Sequence, residues 1–355
     1  MKRMPCFALV LLLAASGCTK DPVTPDILTP NIPAVAGVYV MNEGNYGDAS
    51  GARLSLFVPK TDTVYHSLVE GANGGAHMGS TGDDCALFRG KLYLLMSGSE
   101  NLMVLSSVDH TILQNAYYPG STPHAMLIDS TRNVIYIARL YKSSIMILNL
   151  QSLAVVDSVG VGANPQQMAL AGGNLYVCNS GYGADNRVTV INPDTRSVVT
   201  QVRVGDGPTG IVLGSDGKLW VSCTGNAFGM PASYGSIHRI NPSTNARVDS
   251  VAFTEALWGD LVAGGNGYIY ALGTTPGSYY GGPVHRIAVS SLAVTPAFIA
   301  GTYYGIGLDD ATGDLYLGDA KSFTAAGDVR IYTSDAALKK IFVAERGPAL
   351  FMFKR

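Results

Sequence analysis

The side chains able to do chemistry fall in short polar and aromatic stretches between apolar runs. His77 and His124 are lone imidazoles that could ligate a metal or serve as polar rim residues. Asp83-Asp84 and Asp309-Asp310 are acidic pairs beside apolar runs, where short carboxylates cap turns. Arg139 and Lys142 could meet a carboxylate or a phosphate, or only water. With them stand Asn42, Glu43, Tyr46, Tyr141, Gln167, Asn179, Tyr182, Phe228, Trp258, Tyr280, Tyr303 and Tyr304. Tyrosine-rich stretches supply rigid, amphipathic contact area at low entropic cost, which suits binding. No Gly-x-Ser-x-Gly elbow, His-Glu-x-x-His pair or phosphate-cradling glycine loop occurs. The expectation is a binding protein, not an enzyme, with no metal site and no catalytic cofactor.

Composition bounds what could hold these residues. Hydrophobic residues make up 47% of the 355, enough for a large core, and only 14% are charged. The formal charge of −2 lacks the basic surplus of a nucleic-acid binder. After residue 20 no apolar run reaches the roughly 18–20 residues that span a bilayer.

The elements that position the candidates repeat. A short apolar run with a central aromatic recurs at Tyr39, Tyr93, Tyr136, Tyr176, Trp220, Tyr270 and Tyr316, at intervals of 40 to 54 residues. Turn residues precede six of them: Gly90-Lys91, Thr131-Arg132-Asn133, Gly172-Gly173-Asn174, Ser215-Asp216-Gly217, Gly265-Asn266-Gly267 and Ala311-Thr312-Gly313. A second apolar run follows each aromatic. Short strands joined by hairpins at a period near 45 describe the four-stranded blades of an all-β, seven-bladed β-propeller. Pro123, Pro165 and Pro208 open blades, and Pro348 opens one that the chain end leaves incomplete. Ala349 to Phe353 should therefore supply the first strand of the first blade, whose second strand is Val38 to Val40. The loops that lead into the blades (His77, His124, Gln166, Gln167, Trp258, Asp260, Tyr303, Tyr304) should share one face with those joining second and third strands. Trp258 should either contact a ligand or plug the central channel.

The N-terminus reads as an address: Lys2 and Arg3, then the apolar stretch from Phe7 to Ala15. Ala15-Ser16-Gly17-Cys18 resembles the lipobox of bacterial lipoproteins, with Ala15 where leucine is usual. The resemblance implies a signal peptide over 1–17 and lipidation of Cys18. A proline-bearing tether would then span 18–36 and the propeller 37–355. Thr19 is not the aspartate of inner-membrane retention, which implies the outer membrane. Of the remaining cysteines, Cys85, Cys178 and Cys223, at most two can pair; Cys178 and Cys223 lie at matching places in adjacent repeats, as a bridge or as buried thiols.

The unit Leu175-Tyr176-Val177-Cys178-Asn179, then Val188 to Thr195, then Val204-Gly205-Asp206-Gly207-Pro208, resembles the YVTN repeats of YncE-like propellers. The opening Met41-Asn42-Glu43-Gly44-Asn45-Tyr46-Gly47 is similar to YncE-like surface lipoproteins of Bacteroidetes, among them the BtuG type. That resemblance implies non-covalent capture of cobalamin or a related corrinoid outside the cell, and delivery to a TonB-dependent outer-membrane transporter. His77 or His124 could then meet a corrinoid cobalt. Two alternatives remain: a surface propeller binding a glycan, peptide or partner protein, and a metal-dependent lactonase- or lyase-like propeller. Two tryptophans in the chain argue against a quinone-cofactor propeller.

Overall fold

The structure is a computed structural model that describes residues 35–276 and 280–355. The signal peptide, Cys18 and nearly all of the tether lie outside the described residues. Seven four-stranded antiparallel sheets form the blades. Blade one pairs the strands Gly37–Asn42, Arg53–Val58 and Thr63–Tyr65 with the C-terminal strand Pro348–Lys354. Blades two to seven span 82–117, 123–160, 165–203, 208–252, 257–303 and 305–343. The innermost strands touch in cyclic order around the axis.

The ring closes as the proline count implies. Val38 faces Phe353, Tyr39 faces Met352 and Val40 faces Phe351 across the seam. The seam leaves no unpaired edge between the chain ends. A Cβ on Gly305 would collide with the carbonyl of Ala349, so the inner strands of blades seven and one approach as closely as glycine permits.

The recurring aromatics hold the blades together. All seven are buried, and each belongs to a cluster that joins its own blade to the next. Tyr136 packs with Leu175 and Val177, Trp220 with Ile269 and Ala271, and Tyr316 with Val38 and Val40. Seven interfaces carry seven clusters, and each fully buried large side chain contributes roughly 1.5–3 kcal/mol. The hairpin signals also act as read: Asn133 and Gly217 sit at φ 55° and 69°, the region that tight turns demand.

Strand polarity sets the two faces. Each inner strand starts on one face, and the loops between second and third strands return to it. The hairpins joining strands one to two and three to four lie on the opposite face. A five-residue helix, Leu68–Ala72, is inserted between blades one and two, where the sequence reading had only a loop. Among the described residues no helix is long and apolar enough to cross a membrane. Cys85, Cys178 and Cys223 are free thiols.

Candidate functional site

Six of the seven inner strands share a local defect, blade seven being regular. Their pairing with the second strand slips between Gly82 and Asp84, Pro123 and Ala125, Pro165 and Met168, Pro208 and Gly210, and Leu257 and Leu261. The C-terminal strand slips in the same way between Leu350 and Pro348. Bulges free a residue from the ladder and re-aim its side chain. The residues released are Asp83, His124, Gln166 and Gln167, Thr209, Trp258 and Asp260, and Ala349. With Glu43, Gly82, Tyr304 and Leu350 they line one cavity of about 220 Å³ at the mouth of the axis. Every blade contributes to it.

Its electrostatics are unusual for a surface cleft. His124 faces oxygens on both ring nitrogens: Nδ1 lies 2.9 Å from Asp83 Oδ1 and Nε2 lies 2.8 Å from Gln166 Oε1. Burial alone would depress this imidazole, but Asp83 and Gln166 outweigh it and push it up to about 8. Burial pushes the Glu43 carboxyl up to about 7; the Tyr304 hydroxyl, which donates to Glu43 Oε2, opposes this, and Asp83 and Asp260 reinforce it. Burial likewise pushes Asp260 up to about 6, against the pull of His124. Asp260 has no hydrogen-bond or ion-pair partner among the described residues. No lysine or arginine lines the cavity. Among the described residues no group of three His, Cys, Asp or Glu side chains is placed to hold a metal ion.

Aromatic rings extend the mouth to one side. Trp258 lies 5.7 Å from Tyr304, and Phe323 lies 4.8 Å from both Tyr304 and Tyr280, edge to face. Further out, the loops between second and third strands expose Tyr46 (88%), Tyr141, Tyr182, Phe228 (96%), Met230 and Tyr234. Tyr141 and Tyr182 pack at 6.2 Å across blades three and four. Tyr182 and Phe323 are held at φ 53° and 58°, a left-handed conformation costly for aromatic residues.

The candidate residues thus divide. The axis gathers Glu43, His124, Gln167, Trp258 and Tyr304, and Tyr280 joins their aromatic wall. Trp258 lines the cavity and leaves it open. Tyr46, Tyr141, Tyr182 and Phe228 stand on the rim, where Arg139 also lies, bonded to Ser144 and Ser158. Four candidates lie elsewhere. Asn42 and Asn179 are fully buried. Each amide donates within its own blade, to Arg53 O and Ser55 or to Arg187 O and Thr189. Each accepts from the strand lead-in, Glu345 N or Gly162 N, so both lock blade ends. Tyr303 is buried, its hydroxyl 2.9 Å from that of Tyr332. His77 is exposed beyond the inserted helix, 3.5 Å from Glu70, and is not equivalent to His124.

The sequence reading missed Asp83, Thr209 and Phe323. It took both acidic pairs as turn caps. That role fits Asp309, which accepts from Ala311 N; Asp84 instead lies within an inner strand and accepts from Cys85 N and from Met126 N of the next blade, tying two inner strands together. Asp83 instead enters the mouth. A signal was present: the residue after a blade-opening Pro or Gly is the one the bulge releases.

These features define a closed seven-bladed β-propeller with an acidic, aromatic axial mouth. The chain belongs to the DUF5074 family, a domain of unknown function, which it matches over residues 36–342. No curated protein matches it. Among solved structures it is similar to a quinonprotein alcohol dehydrogenase-like protein of Bacteroides thetaiotaomicron, with 15% identity and a TM-score of 0.68 over 90% of this chain and 78% of that one. It is also similar to a periplasmic gluconolactonase of Pseudomonas aeruginosa, with 12% identity and a TM-score of 0.67 over 90% of this chain and 99% of that one. At these identities the likeness concerns the fold.

Proposed function

We propose that this propeller captures a large amphipathic ligand, cobalamin or a related corrinoid, on its mouth face without transforming it. In this reading Cys18 carries lipid that holds the protein on the outer membrane, and a TonB-dependent transporter receives the ligand. The observation that carries the proposal is the set of exposed aromatic side chains on the loops of blades one, three, four and five beside the axial cavity, with Tyr182 and the half-buried Phe323 held in a costly backbone conformation. Strain of that kind clusters at functional sites. A flat macrocycle needs broad apolar contact and polar partners for its amide edges. The rim supplies the first, and Glu43, Gln167, Thr209 and Asp260 supply the second. A closed ring keeps both in place before binding and lowers the ordering cost.

Calorimetric titration with cyanocobalamin tests this directly. Every described element lies within 35–355, so a chain beginning at Thr19 retains the fold. Saturable one-to-one binding is expected. Absence of heat and of any thermal shift from a folded sample would refute the corrinoid reading and favour a glycan or protein partner. Co-purification of a transporter from the native membrane tests the delivery step separately.

A further inference from the structure

The axial cavity does not end at the mouth. A second chamber of about 140 Å³ adjoins it, lined by Ile211, Val212, Leu261, Ile306 and Leu350. The two share Gln167, Asp260, Ala349 and Leu350, so Asp260 stands at the neck between an apolar floor and an acidic ring. Above the neck lie Glu43 and Asp83, with Trp258 and Tyr304 as aromatic walls.

We propose that this double chamber is a subsite for a small primary alkylamine, its alkyl tail in the apolar chamber and its ammonium group among Glu43, Asp83 and Asp260. The inference goes beyond the corrinoid reading and does not depend on it. Three observations converge. The mouth holds three carboxylates against one imidazole and no lysine or arginine, so a cation offsets charge that the chain itself leaves uncompensated. The carboxylate of Asp260 has no partner among the described residues and is free to accept from an ammonium donor. The rings of Trp258 and Tyr304, 5.7 Å apart and tilted to one another, line the same mouth, and aromatic rings attract cations. The apolar chamber then distinguishes an alkylamine from a bare cation.

Proton linkage gives the site a signature. The titratable groups facing the ammonium are Glu43, Asp83, Asp260, His124 and the Tyr304 hydroxyl; Asp84 lies behind them, its oxygens taken by Cys85 N and Met126 N. Below pH 6 Glu43 and Asp260 are protonated, and above 8 His124 loses its charge. Affinity for a cation therefore rises steadily from pH 5 to pH 9. The amine itself stays charged throughout, since its pKa is about 10.4, as for lysine.

The chain has two tryptophans. Trp220 is buried, with its indole bonded to Asp216, so it serves as an internal control for Trp258. The experiment follows both indole N–H signals by NMR during titration with n-butylammonium, methylammonium, butyramide and butyrate. Butylammonium should shift the Trp258 signal saturably and leave Trp220 unmoved. It should bind more tightly than methylammonium and butyramide, and butyrate should not bind. Affinity should fall about tenfold or more from pH 8 to pH 5, and similarly in Asp260→Asn and Glu43→Gln at pH 8, the Trp220 signal reporting that each variant is folded. Equal binding of butyramide or butyrate, pH-independent affinity, or no saturable shift would overturn the subsite. A capped lysine dipeptide, whose ammonium must enter first, should bind more weakly than butylammonium; tighter binding would overturn the small-amine assignment in favour of a lysine side chain of a protein. Cyanocobalamin titration is read separately, so either proposal can fail alone.

Discussion

The hairpin face and the axial mouth treat charge in opposite ways. On the face of the short hairpins, and along the outer strands beside it, acids meet arginines and lysines. Arg239 bridges Asp216 and Asp249, Arg132 bridges Asp129 and Asp194, and Lys339 meets Asp314. Hydrogen bonds from Arg239, Arg132 and Arg196 hold Asp249, Asp194 and Asp157 below the usual carboxylate range. At the axial mouth the carboxyls of Glu43 and Asp260 are pushed up and no arginine answers them. The hairpin face even has the larger depression, about 510 Å³ around Arg239, Asp216 and Tyr268. Size therefore does not mark the site; unsatisfied chemistry does. Paired charges also occur in the loops around the mouth, Arg187 with Asp185 and Arg346 with Asp48, so the contrast belongs to the axis itself, whose carboxyls meet no lysine or arginine.

The largest expected effect lies at a blade interface below the paired charges. Trp220→Ala should destabilise by about 3–5 kcal/mol through the cavity it leaves, measured by chemical denaturation. Next, Arg239→Ala strands Asp216 and Asp249 and uncovers Trp220, over whose ring the guanidinium sits at 5.2 Å. A loss of about 2 kcal/mol is expected, with ligand binding unchanged. If Arg239→Ala abolished binding instead, the division between the hairpin face and the mouth would fail.

The mouth should respond with the opposite sign. Glu43 holds its proton more tightly in the folded chain, so it favours folding below its unfolded value of 4.5 and opposes it increasingly up to about 7. Glu43→Gln should match the parent near pH 4.5 and exceed it above pH 7 by about 1–2 kcal/mol, since the site is partly exposed. Thermal melts at the two pH values check this. Smallest, Tyr182→Gly should stabilise by about 0.5–1 kcal/mol by relieving the left-handed backbone, while weakening capture on the rim. A stability loss on either substitution would contradict the view that these residues are held for binding.

The fold was legible because seven aromatics at a near-constant spacing cannot be buried by one blade alone. Closure was legible from the unmatched Pro348. The site was legible only in part, and the reasons are local. Neighbouring Tyr303 and Tyr304 look alike, yet only Tyr304 reaches the mouth. Tyr303 ends the fourth strand of blade six and turns into the core, as alternation along a strand allows. Asn42 and Asn179 carry loop-like residue types at strand ends, where their amides are consumed by the backbone. His77 was displaced by a helix whose five residues leave no periodic signal. Asp83 was hidden because a bulge, invisible to an alternation pattern, decides which of two adjacent acids faces the axis.

The central claim is that the mouth face is the working face. Hydrogen–deuterium exchange with and without cyanocobalamin tests it most directly. Protection is expected in the loops at 43–52, 139–143, 180–186, 224–235 and 320–327, with the hairpins at 129–134, 214–218 and 264–268 unchanged. Protection confined to the hairpin face, or none from a folded and ligand-saturated sample, would contradict it.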